Sequence, residues 1–105
     1  MTLTEKLIEL IESKPIEEED TNAASWFVLD AMANFVAGLN TEQGRILKRW
    51  YLGEPSHASR TVLWMGASMH ILEMDDLHRQ SVVHPGCVVI PTVLSLGMRE
   101  EISGL

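Results

Sequence analysis

The sequence predicts an all-α protein of about five helices. Three observations lead there: apolar residues recur at helical spacing in successive segments, Gly and Pro positions that stop helices separate those segments, and Cys87-Val88-Val89-Ile90, which alone would read as a buried strand, has no second strand candidate to pair with. At 105 residues the chain is one domain, 1–105, with an acidic helix and loop over 1–20.

The first helix is expected over residues 3–12, where Leu3, Leu7, Ile8, Leu10 and Ile11 share a face and Thr2 or Thr4 caps the N-terminus. Pro15 then acts as a breaker, and Glu17-Glu18-Glu19-Asp20 is a run of like charges that prefers water. From a cap at Thr21 or Asn22, Ala23 to Ala37 is apolar almost all round, the pattern of a helix buried on several sides. Gly38 is its expected C-cap. Thr41-Glu42-Gln43-Gly44 opens a third helix, with Ile46, Leu47, Trp50, Tyr51 and Leu52 beside Arg45, Lys48 and Arg49. Gly53-Glu54-Pro55-Ser56 breaks it. A fourth runs from Ser59 to about Met74, with Gly66, Ala67 and Ser68 permitting close helix contact; 75–85 is a polar loop. The fifth, Gly86 to Glu100, starts beside Pro85, and Pro91 must fall in its first turn or kink it. Trp26, Trp50, Trp64 and the methionines are expected in the core. Ser103-Gly104-Leu105 has the character of a helix junction, which predicts that more protein follows.

Composition narrows the function. Eight Lys plus Arg against 15 Asp plus Glu give a net charge of −7, and no basic cluster exceeds Lys48-Arg49, so binding through nucleic-acid phosphates is excluded. The first twenty residues, with seven acids and two bases, hold −5 of that charge. No apolar run approaches the ~18 residues of a transmembrane helix, and Met1-Thr2-Leu3-Thr4-Glu5-Lys6 lacks the basic n-region and continuous apolar h-region expected of a signal peptide. With one cysteine, Cys87, no internal disulfide is possible, which suits a reducing cytoplasm.

The chemistry concentrates at 70–86. His70, Glu73, Asp75, Asp76, His78, Arg79 and His84 lie within fifteen residues, and on a continuous helix His70 and Glu73 share a face. His84-Pro85-Gly86 puts a histidine at the start of the fifth helix, whose free N–H groups and positive dipole end favour an anion such as a dicarboxylate or tricarboxylate. Each residue also has a plainer reading: Asp75 and Asp76 as turn residues, His84 as an N-cap, His78 and Arg79 as solvated groups, His70 as a satisfied core histidine, Cys87 as either a thiol of lowered pKa or buried filler. His57 carries no signal. Glu73, Asp75, Asp76, His78 and His84 are competent metal ligands, but their spacing matches neither H-E-x-x-H nor an EF-hand loop.

Two strings together resemble a known family. Gly66-Ala67-Ser68-Met69-His70-Ile71-Leu72-Glu73-Met74-Asp75-Asp76, followed by His84-Pro85-Gly86-Cys87-Val88-Val89-Ile90-Pro91, is similar to a segment of the MmgE/PrpD family, which includes 2-methylcitrate dehydratase and cis-aconitate decarboxylase. Val28-Leu29-Asp30-Ala31-Met32-Ala33-Asn34-Phe35-Val36-Ala37-Gly38 looks like its early helix. The resemblance covers essentially the whole chain and about the first quarter of a typical member. It implies the N-terminal part of a helical catalytic domain, a homodimer, and lyase or isomerase chemistry on tricarboxylic or similar acids, without metal or other cofactor. By that analogy His84, Asp75 and Asp76 are catalytic, while Glu73, His78, Arg79, Gly86 and Cys87 meet the substrate. Two positions depart from the family string Asp-Phe-Asp-Asp-Thr: Glu73 is a methylene longer than Asp, and Leu77 lacks a hydroxyl. The family's later lysine has no counterpart after Lys48, so this chain alone is expected to hold an incomplete site. The expected partners are a small carboxylic acid and a second copy or complementary chain, with neither nucleic acid nor membrane. The alternative from another class is a small helical interaction module, because the apolar residues of 23–37 and of the last segment exceed what five short helices can cover.

Overall fold

A computed structural model describes residues 1–55 and 57–100 as five helices: α1 (Leu3–Ser13), α2 (Glu18–Leu39), α3 (Glu42–Leu52), α4 (Ala58–His70) and α5 (Gly86–Glu100). Ser56 and the expected helix junction at Ser103-Gly104-Leu105 lie outside the described residues. The all-α reading holds, and Cys87–Ile90 is helical.

Around α2, the longest helix, the protein assembles. At 1.5 Å per residue its 22 residues reach about 33 Å, and it packs against α3, α4 and α5. Its start is five residues earlier than the sequence suggests. Glu17 is the N-cap, Asp20 accepts the Glu17 N–H at 3.1 Å, and Lys14 pairs with Asp20 at 2.9 Å. Acids in a first turn face the positive end of the helix dipole, which outweighs their mutual repulsion in water. Gly38 does not terminate the helix, which runs on to Leu39 with Asn40 as C-cap.

The core is a narrow seam between α2, α4 and α5. Ala31 and Phe35 meet Met65, Met69 and Ile90, with Met32, Leu39, Trp64, Cys87 and Leu94 packed around them. Glycine sets how closely the helices approach. A Cβ at Gly38 would collide with the backbone carbonyl of Ser68 in α4. One at Gly66 would come within 2.5 Å of the Cys87 carbonyl of α5. That carbonyl would ordinarily accept from the residue four positions on, but this is Pro91, buried inside α5 and without an N–H. The proline is therefore accommodated in the helix body beside a glycine, not in its first turn.

Stacked rings hold α3 in place. Tyr51 lies parallel to Trp64 with centroids 4.2 Å apart, Trp64 meets Phe35 edge-on at 5.0 Å, and the Tyr51 and Thr61 hydroxyls are 3.2 Å apart. The Arg60 guanidinium sits 4.0 Å above the Trp50 ring and donates to the Trp50 carbonyl.

Several burial expectations are overturned. Helix α2 is buried along one strip only, Ala31, Asn34, Phe35 and Gly38, while Trp26 is 72% exposed and Phe27, Leu29 and Val36 also face outward. Trp50 is exposed as well, and of the methionines only Met65 and Met69 are fully in the core. Helix α1 packs against none of the others and buries no residue, although its Thr2–Glu5 capping box is complete. The radius of gyration, 15.5 Å, accordingly exceeds the ~13 Å of a compact domain of this length. Among the described residues no helix is long and apolar enough to cross a membrane.

Candidate functional site

Helix α4 stops at His70, four residues before the expected Met74. The Glu73 N–H closes a turn on the His70 carbonyl at 2.9 Å, and Glu73 takes a left-handed backbone conformation, φ 50°. His70 and Glu73 therefore do not share a helix face, and Glu73 is exposed. Beyond the turn the chain doubles back through a single bridge between His78 and Val83, with Val82 at φ 53°. This short return brings His84 beside His70 and delivers the chain to the start of α5.

Asp75 is the centre of what results. Its side chain is 2% exposed, and His70 Nδ1 lies 3.1 Å from both of its oxygens. His84 Nδ1 is 3.4 Å from Asp75 Oδ1, too misaligned to count as a hydrogen bond, and this nitrogen is buried without a partner. The two imidazole rings meet edge to face with centroids 4.6 Å apart. One buried carboxylate thus faces two histidines. When Nδ1–H is directed at a carboxylate, Nε2 carries the lone pair, and among the described residues no hydrogen bond engages Nε2 of either ring.

Asp76 has a different task. Its carboxylate accepts the Gly86 N–H at 3.0 and 3.1 Å, occupying the first free donor of α5. A Cβ at Gly86 would displace the Asp76 carboxylate from this bond. The Gly86 N–H expected to receive a substrate anion is therefore already taken. Cys87 follows: its Sγ donates to the His84 carbonyl at 3.2 Å, and burial, aided by the charges of Asp75 and Asp76, pushes its thiol pKa up. Of the two readings of Cys87, the lowered pKa is overturned. Desolvation and two nearby carboxylates outweigh the helix dipole.

The loop's remaining predicted groups stay outside this cluster. His78 is exposed and its Nδ1 lies 2.7 Å from the Ser81 hydroxyl, while Arg79 is exposed on the same return. An apolar groove of about 400 Å³, with Asp76 in its lining, opens between Phe27 and Val28 of α2 and Val89 and Val93 of α5. The structure brings together His84 and Asp75, puts Asp76 next to them, and adds His70, which the sequence reading kept out of the catalytic set. The sequence carried no signal for this role of His70, because helical spacing continued past it and the burial of Asp75 is set by the tertiary fold. Comparison with family models, curated proteins and solved structures finds no match for this chain in any of the three.

Proposed function

We propose that this chain forms the histidine–carboxylate part of a lyase-type site for a small carboxylic acid, as its resemblance to the MmgE/PrpD family implies. The observation that supports the reading is Asp75, buried and shared between His70 and His84. The carboxylate hydrogen-bonded to His70 Nδ1 fixes that ring and its tautomer and sets its charge against His84 Nδ1, and in this reading Nε2 of His70 or His84 removes a proton from carbon beside a substrate carboxylate, or returns one to a leaving hydroxyl. Asp76, spent on the α5 N-terminus, keeps Gly86 and the His84-Pro85 junction in register with Asp75.

Among the described residues the groups paired with Asp75 are His70 and His84, and in this reading the positive groups that bind the other carboxylates of such an acid come from a second copy or a complementary chain. In this reading the chain is cytoplasmic and inactive alone. The test is thermal stability and oligomeric mass of the protein in EDTA, with and without citrate, cis-aconitate and 2-methylcitrate. A gain of several degrees with one acid, abolished in His84→Ala, is the expected result; indifference to all three in the wild-type protein overturns it.

A second reading has its own support. Helix α1 presents Leu3, Leu7, Ile8 and Ile11 to solvent, and α2 presents Trp26, Phe27 and Leu29. Exposed apolar faces of this extent mark interaction surfaces, and a helical module that assembles without catalysis would show a defined oligomer unaffected by any acid.

A further inference from the structure

The proton chemistry proposed above uses the outer nitrogens of the two histidines, but the inner ones are the unusual feature. Both Nδ1 atoms face the same buried carboxylate, and the one on His84 has neither a hydrogen bond nor access to water. A buried nitrogen in that state is unfavourable unless something supplies a partner. Its neighbours are a carboxylate oxygen and a second imidazole nitrogen, and what such a set lacks is a positive centre they can share.

We propose that His70 Nδ1, Asp75 and His84 Nδ1 bind a divalent cation of the zinc class, an ion that replaces the Nδ1 protons and so exchanges the proton chemistry of these side chains for a metal centre. The two edges at Asp75 suit it. Zinc bonds of about 2.0–2.1 Å in tetrahedral array put neighbouring ligand atoms roughly 3.3–3.4 Å apart. The two edges that meet at Asp75 are 3.1 and 3.4 Å, and the three ligand atoms all lie within 4.8 Å of one another. Two nitrogens among three ligands select against calcium and magnesium, which take oxygen. With three protein ligands and His70 half open to solvent, at least one position remains for water or an acid oxygen. His70 is the last residue of α4, Asp75 lies two residues beyond the turn that the Glu73 N–H closes on the His70 carbonyl, and His84 directly precedes Pro85.

The cation site shares side chains with the proposed acid site but does not need the acid, so the two are separable by experiment. The full chain, stripped with EDTA and exchanged into chelator-free buffer, is titrated with ZnCl₂ by calorimetry. The expected result is one equivalent bound, weakened at least tenfold in His84→Ala and in His70→Ala and unchanged within twofold in His78→Ala. Because a variant in the turn can lose its fold, the wild-type protein gives the second measurement: long-range ¹H–¹⁵N spectra in which zinc moves Nδ1 of His70 and His84 and leaves His57 in place. No saturable binding, or binding that moves His57 and His78 instead, overturns the proposal. Zinc binding in a protein indifferent to all three acids would sustain the cation site and sink the acid site. Acid binding in EDTA by a chain that takes up no zinc would do the reverse.

Discussion

Helices α1 and α4 show how little an apolar stripe says about docking. Helix α1 has the sharper division into apolar and polar faces, is capped by Thr2, one of the two caps the sequence offered, with Glu5 completing the box, and buries nothing. Helix α4 is less clearly divided, carries Gly66, Ala67 and Ser68 in its middle, and buries Met65, Gly66, Ser68 and Met69 between α2 and α5. The difference lies in backbone approach. Small residues let α4 come close enough to α2 and α5 for each core side chain to meet partners on both sides, and dispersion falls off within an ångström of extra separation. Helix α1 has local reasons to be a helix and packs on no other helix among the described residues.

The comparison breaks most visibly at the α2–α4 contact. Gly38→Leu drives a side chain into the Ser68 backbone, which cannot turn aside as a flexible side chain would. A loss of at least ~3 kcal/mol is expected, read as the shift of the urea midpoint. A loss below ~1 kcal/mol would mean that the two helices do not meet as described.

Next in size is Asp75→Asn. It removes the charge that faces both histidines while keeping the shape of the side chain, and is expected to cost about 1–3 kcal/mol. The ring resonances of His70 and His84 should shift together while those of His57 stay; movement of His70 alone would separate His84 from the cluster.

Leu7→Ser tests the other helix. On an element that buries nothing it should change the global unfolding free energy by less than ~0.5 kcal/mol. The same variant sharpens the comparison in light scattering, since a fall in mass would show that α1 docks on another copy.

The smallest effect is in α1 alone. The Thr2 N–H bond to Glu5, at 2.6 Å, together with the Thr2 hydroxyl, holds the Glu5 carboxyl below the usual glutamate range. Capping by Glu5 is therefore complete above the ordinary glutamate pKa and is lost as pH falls through the lowered value. The Thr2 amide resonance should move over that acid range, and Glu5→Gln should remove the transition without changing the unfolding of α2–α5.

Much of the site was legible. His84-Pro85-Gly86 announced a helix start, since proline suits a first turn, and that is where α5 begins. Asp75 and Asp76 were marked by being acids where a continuous helix would end. Their division of labour was hidden, because it depends on one being 2% exposed and the other reaching an N–H ten residues away. His70 was hidden for the same reason: helical spacing through Leu72 argued that α4 continues, and only the bond across the turn to Asp75 decided otherwise. The acid run at 17–20 misled in the opposite sense, since a charge pattern read along the chain omits the dipole of the helix it begins.

The sequence by itself determined the helices, because propensity, caps and Gly or Pro punctuation act within a few residues of one another. It also determined the chemistry available, since three of the four histidines arrive with Asp75 and Asp76 in one short stretch. Tertiary structure decided which apolar face is buried, leaving Trp26 in water and Met69 in the core, because burial depends on how near a facing backbone can come. It decided, too, that Asp75 is the acid between two imidazoles: the return at His78 and Val83 closes a distance that neither helical nor extended spacing encodes.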